Sequence, residues 1–271
     1  MLFFAAMYSA FQLAVKYCKY YLSAQNGKGH GIHSPFVFDF IINVLNNDGN
    51  FYCYKPIESV REQLKHDETM LTIEDFGAGS RTQATKQRSV ASIARAALKP
   101  TKFGQLLFRI VNYYQPQTIL ELGTSLGITT AYLASANRGS TTVTMEGAQA
   151  VAAQAKQVFN SLGINQIKIV EGNFDHTLQP TLDSLQSLDF VYIDGNHRYE
   201  PTVRYFNQLM PYTHDHTILI FDDIHWSKEM EDAWETVKAD PRVLLTIDLF
   251  FIGLVFFRKD FKVKQHFTIR F

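Results

Sequence analysis

Five stretches of this sequence carry side chains able to bind ligands or move protons, and each follows a short apolar run. They are Glu121-Leu122-Gly123-Thr124-Ser125-Leu126-Gly127, Glu146, Gly172-Asn173-Phe174, Asp194-Gly195-Asn196-His197 and Asp222-Asp223-Ile224-His225. Glycines in the first stretch let a turn bring its backbone close to a ligand. A carboxylate such as Glu146 accepts hydrogen bonds from hydroxyl groups. Asp194, Asp222 and Asp223 offer the hard oxygen atoms that suit Mg²⁺. Imidazole, with an intrinsic pKa of about 6.5, abstracts a proton near neutral pH without needing burial.

The elements that must position these residues follow a regular rhythm after Pro116. Apolar strands are expected at 118–122, 141–145, 166–170, 189–193 and 217–221, with helices at 128–136 and 201–210. Val151, Ala155, Val158 or Phe159, and Leu162 recur at helical spacing, as do Met230, Ala233, Trp234 and Val237. Strands alternating with amphipathic helices predict an α/β, doubly wound sheet, whose ligands sit beyond the carboxyl ends of its strands. All five stretches fall at such ends. The last strands, 243–247 and 252–257, are too close in sequence for a crossover helix and predict an antiparallel edge hairpin.

Before Pro116 the pattern is mostly helical. Loops are expected at 27–31 and 75–80, and helices at 36–45, 89–98 and 103–114. The expected organisation is a helical N-terminal cap over 1–115, an α/β domain over 116–260, and a tail over 261–271 able to add an edge strand. The apolar segment 1–22 lacks a basic leader region and is interrupted by Gln12, Lys16 and Lys19, so it is too broken to span a membrane. It reads as an amphipathic helix packing on the main domain or on a second subunit.

Apolar residues make up 46% of the 271, enough for a sizeable core, and the formal net charge is zero. Bulk electrostatics thus point to neither a nucleic-acid nor a membrane partner. Cys18 and Cys53, in no metal-like or redox-like spacing, fit a reduced cytoplasmic protein. From Arg81 to Leu120 there is no acidic residue, while Arg81, Lys86, Arg88, Arg95, Lys99, Lys102 and Arg109 occur. These suit either a solvated basic face or the recognition of an anionic acceptor.

The strand-end residues resemble those of the class I S-adenosylmethionine-dependent methyltransferases, which implies a Rossmann-like fold and that cofactor. Glu121, Gly123, Thr124, Ser125 and Gly127 look like the family's first motif, along the methionine part of the cofactor. Glu146, with Gly147 beside it, matches the acidic position that takes both ribose hydroxyls. Asn173 and Phe174 match the adenine-flanking end of the third strand. Thr129 matches a hydroxyl residue that holds the methionine carboxylate at a helix N-terminus. A nicotinamide-binding protein expects a closer match to G-x-G-x-x-G than Gly123-Thr124-Ser125-Leu126-Gly127 provides. Asp75-Phe76-Gly77-Ala78-Gly79-Ser80 mimics the motif, but no adequate apolar strand precedes it and no helix–strand unit follows.

Asp194, Asp222 and Asp223 resemble the Mg²⁺-holding set of the cation-dependent, catechol-type O-methyltransferases, and Asp194 also counts among the cofactor contacts. That family's general base is a lysine three residues after the fourth-strand aspartate. His197 stands there in this chain, with His225 as the competing base. The resemblance implies methylation of a small-molecule hydroxyl, acidified by Mg²⁺. An RNA or protein methyltransferase docking through the basic segment, and a catalytically silent cofactor-binding protein, are the alternatives. A homodimer formed through the N-terminal helices is the expected assembly, if any.

Overall fold

The computed structural model describes residues 7–74 and 85–271, so the 75–80 turn and Arg81 lie outside the described residues. The chain divides into two compact units, 1–46 with 187–271, and 47–186.

The first unit opens with α1 (Ala10–Ser23). Its Ser9 cap accepts from the Gln12 N–H while the Gln12 side chain accepts from the Ser9 N–H, so the helix starts on a capping box. Next come α2 (Pro35–Phe40), capped by Ser34 with Pro35 in its first turn, and a π-helical turn, Ile41–Leu45. The helix expected over 36–45 is therefore one apolar segment that loosens halfway.

The second unit holds α3 (Tyr54–Leu64), the antiparallel pair β1 (Met70–Glu74) and β2 (Thr85–Ser89), α4 (Val90–Ala97) and α5 (Thr101–Tyr114). The β1–β2 pair departs from expectation: a strand does precede the 75–80 turn, and Thr85-Lys86-Gln87-Arg88-Ser89 has no apolar alternation to mark its partner. Then follow β3 (Thr118–Leu122), α6 (Ile128–Ala136), β4 (Thr141–Glu146), α7 (Gln149–Ser161), β5 (Ile167–Glu171) and α8 (Phe174–Leu185). Strands β3, β4 and β5 pair in parallel in that order.

The first unit resumes with β6 (Phe190–Ile193), α9 (Tyr199–Leu209), β7 (Ile218–Asp222), α10 (Lys228–Ala239), β8 (Leu245–Asp248), β9 (Ile252–Phe256) and β10 (Gln265–Thr268). Here β6 and β7 are parallel, β9 is antiparallel to β7, and β8 is antiparallel to β9. The tail strand β10 pairs in parallel with β8, so β10 rather than the hairpin forms that border. The fold is α/β with mostly parallel strands. Strands β6, β7 and β9 are buried along their whole length, as expected of sheet strands covered on both faces. Among the described residues, no helix is long and apolar enough to cross a membrane.

Candidate active site

In the second unit, the turn after β3 is tied to the neighbouring strand. The N–H groups of Gly123 and Thr124 both donate to the Met145 carbonyl, each at 3.0 Å. The backbone is left-handed at Gly123 (φ 107°), Ser125 (φ 47°) and Gly127 (φ 81°). At Gly127 the requirement is also steric, since a Cβ there would sit 2.6 Å from the Phe159 ring of α7. This glycine lets strand, turn and helix pack, independently of any ligand.

Glu146, at the end of β4, reaches that turn. Its Oε2 accepts from the Ser125 N–H at 2.9 Å and its Oε1 from the Ala148 N–H at 3.0 Å. The third strand end joins through Gly172, whose N–H donates to the Glu146 carbonyl at 2.9 Å. Asn173 caps α8 by accepting from the Asp175 N–H, and Phe174 opens that helix.

Burial sorts the expected cofactor residues into two groups. Gly123, Ser125, Thr129, Glu146, Gly147, Asn173 and Phe174 are part-exposed, whereas Glu121 and Thr124 are buried. The Glu121 carboxylate accepts from Thr144 at 2.7 Å and from the Thr130 hydroxyl, and Thr124 shares a 2.6 Å hydrogen bond with Thr144. Thr130 and Thr144 were missed as site residues. Their hydroxyls lie on one turn of α6 and in the middle of β4, where sequence spacing gives no reason to pair them.

The remaining strand ends belong to the first unit. Asp194, His197 and Asp222 each offer one ligand atom, and these three atoms lie within 4.8 Å of one another. His197 Nε2 stands 3.4 Å from Asp194 Oδ1, both side chains part-exposed, while Asp222 is fully buried. The Tyr192 hydroxyl donates to Asp194 Oδ2 at 3.4 Å, and Asn196 donates to the Tyr205 hydroxyl at 3.2 Å. Asp223 is not in this group of three. Its φ of 51° turns the backbone, and its N–H donates to the Phe251 carbonyl at 2.7 Å. The structure thus gathers two of the three expected aspartates and adds the expected base as a third donor. Left-handed backbone at Ser125, Asn196 and Asp223 puts one sterically disfavoured non-glycine residue in each of three strand-end turns, a feature that concentrates at functional sites.

His225 is engaged elsewhere. Its Nδ1 lies 3.2 Å from Glu231 and its Nε2 2.8 Å from Asp248, and its ring stacks on Phe250. Burial alone would lower its pKa, but the Asp248 and Glu231 carboxylates carry it above the ordinary histidine value. With both nitrogens on carboxylates it is ill placed to take a substrate proton. In the basic segment, Arg88 and Arg95 donate to the Ser92 and Lys65 carbonyls, and Arg109 is buried.

The α/β fold is similar to that of solved methyltransferases. Residues 120–224 match the family model of a methyltransferase domain, a span from the middle of β3 to just beyond β7. Over 86 residues the chain is 33% identical to an uncharacterized protein of Acanthamoeba polyphaga mimivirus; the match takes in 30% of this chain and 39% of that protein's length. Among solved structures, an O-methyltransferase from Bacillus cereus in complex with SAH is 18% identical, with a TM-score of 0.52 over 78% of this chain and 93% of that one. An O-methyltransferase from Streptomyces achromogenes involved in tomaymycin synthesis, in complex with SAM, is 19% identical at a TM-score of 0.52 over 60% and 82%. An SAH-bound methyltransferase from Podospora anserina is 12% identical at 0.53 over 79% and 100%. At these identities the solved structures speak to the fold.

Proposed function

We propose that this chain is an S-adenosylmethionine-dependent O-methyltransferase acting on a small-molecule hydroxyl, with its catalytic domain over 116–260. The observation that carries the reading is the Glu146 carboxylate, part-exposed at the end of β4 and bonded to the Ser125 N–H of the glycine turn. In this reading Glu146 receives the ribose hydroxyls. Gly123, Ser125 and Gly147 leave room for the methionine moiety, Thr129 in the first turn of α6 takes its carboxylate, and Asn173 and Phe174 flank the adenine. Buried Glu121 and Thr124 hold the turn in shape through Thr130 and Thr144. Calorimetric titration with S-adenosylmethionine tests this: the chain binds it, and Glu146→Ala binds it measurably less well.

For the acceptor, the donor set of Asp194, His197 and Asp222 fits a divalent cation, two carboxylates and one imidazole being ordinary ligands for such ions. A bound Mg²⁺ or Mn²⁺ would lower the pKa of an acceptor hydroxyl. Asp194 and Asp222 would hold the ion, and Asp223 would line the turn beside it. His197, part-exposed, would take the hydroxyl proton as general base. Its Nε2 position beside Asp194 also favours a second reading, in which His197 is itself a ligand.

A further inference from the structure

Helix α1 carries two apolar faces. Leu13, Tyr17, Tyr20 and Ala24 pack inward with Phe250 and Phe251. Lys16 pairs with Glu231 at 2.9 Å, and the Tyr20 hydroxyl donates to the Ile269 carbonyl. Phe11, Val15, Cys18 and Leu22 are spaced by four, three and four residues, which puts them in one stripe on the opposite side. That stripe is bare. Phe11 is 77% exposed, Leu22 79%, and Met7 just ahead of the helix 64%. A helix docked on its own protein needs one apolar face. A second, contiguous one marks a contact surface.

Charge selects the partner. No Asp or Glu occurs before Asp39, whereas Lys16, Lys19 and Lys28 do. Lys19 is exposed on the flank of the stripe, and the Arg270 guanidinium lies 5.2 Å from the ring centre of the exposed Tyr21 near the helix end. A second copy of α1 would meet this basic helix with another, and the flanking residues Gln12, Ala14 and Tyr21 offer Lys19 no acid. Four side chains on each side would also bury well short of the roughly 1,200 Å² of a stable interface. An anionic lipid surface supplies both an apolar layer for the stripe and negative charge for the exposed Lys19.

We propose that α1 docks the protein on the surface of an anionic bilayer. Phe11, Val15, Cys18 and Leu22 enter the boundary between headgroups and acyl chains, and Lys19 meets headgroup phosphates. The expectation of no membrane partner follows from the zero charge of the whole chain and from an apolar segment too interrupted to span a bilayer. It does not see a segment that is basic and apolar by itself.

The chain provides its own probe site. Cys18 is exposed, while Cys53 is buried, which pushes its thiol up to about 11, so a thiol-reactive, polarity-sensitive fluorophore labels Cys18 selectively. The labelled full chain is mixed with vesicles of phosphatidylcholine alone or with added phosphatidylserine. The expected result is co-sedimentation and a blue shift with phosphatidylserine only, reversed by raising the ionic strength. The double variant Phe11→Gln, Leu22→Gln should partition at least about tenfold more weakly. Lys19→Gln should lose roughly fivefold at low salt. No binding, equal binding to phosphatidylcholine alone, or a salt-insensitive interaction overturns the proposal. So does a blue shift that grows with protein concentration without lipid and is accompanied by a doubled sedimenting mass, which assigns the stripe to a second copy. Salt reversal and lipid selectivity are read on the unmutated sequence, so the test stands even if a variant folds poorly.

Discussion

Glu146 gives both carboxylate oxygens to backbone N–H groups, of Ser125 and of Ala148, and so joins the glycine turn to the end of β4. A cofactor ribose bound there would add charge-assisted hydrogen bonds worth about 1.5–3 kcal/mol. Glu146→Ala should weaken S-adenosylmethionine binding by that amount in calorimetry, and unchanged affinity with an intact fold would move the cofactor elsewhere. His197 separates two mechanisms. If it is the base, His197→Ala lowers turnover by roughly 10²–10⁴-fold and leaves metal affinity alone. If it is a ligand beside Asp194 and Asp222, metal affinity measured by Mn²⁺ titration falls in the cofactor-free protein as well. Asp222→Asn should weaken the metal in either case, because the neutral amide leaves a fully buried position without its charge. Full turnover in excess chelator would end both versions.

Two elements show how local chemistry sets what the turns can carry. Gly127 closes the turn ahead of α6 with φ at 81° and its missing Cβ against Phe159. Gly127→Ala should therefore cost on the order of 1–3 kcal/mol, from backbone strain and overpacking together, read as a lower urea midpoint. Helix α1 is held by Glu231 of α10, which accepts from the Tyr8 hydroxyl at 2.7 Å and pairs with Lys16 and His225. Burial raises the Glu231 pKa, but hydrogen bonds from Lys16, Tyr8 and His225 outweigh it, and the folded pKa lies below the ordinary value. A depressed carboxylate pKa means that stability is present above the unfolded value and lost as pH falls through the folded one. Hydrogen exchange in α1 should consequently speed up as the pH falls below the ordinary carboxylate range, before the strands of the core follow, and Glu231→Gln should abolish that acid step. An α1 whose protection falls in step with β7 at every pH would contradict this.

At the scale of the whole molecule, each compact unit carries one part of the proposed chemistry. The glycine turn and Glu146 lie in 47–186, and Asp194, His197 and Asp222 lie in the unit that includes 187–271. A ligand that binds only the folded chain stabilises it by mass action. S-adenosylmethionine at a hundredfold excess over its Kd should add about 2.7 kcal/mol, and so raise the melting temperature by several degrees. Scanning calorimetry checks this, and the shift should shrink for Glu146→Ala at the same concentration. A melting temperature indifferent to the cofactor would contradict the proposed activity without touching the lipid-docking proposal for α1.

The strands after Pro116, the polar residues at their ends and every helix between them except α8 were legible in the sequence, because alternation of apolar runs with helical spacing is a local signal, which Pro180 inside α8 blurs. So was the final hairpin, since a few residues cannot make a crossover. Tertiary structure alone decided which of those polar residues meet. Two adjacent aspartates in a chain look equivalent, yet Asp222 ends β7 buried beside Asp194 while the left-handed Asp223 turns its own backbone toward Phe251. His197 and His225 likewise look interchangeable until Glu231 and Asp248 close on the latter from α10 and β8. The exposed stripe of α1 is a matter of the same kind. Periodicity identifies a helix with apolar faces, but only packing shows which face Phe250 covers and which it leaves bare. Local sequence sets what each element is, and distant residues brought together by folding set what its side chains do.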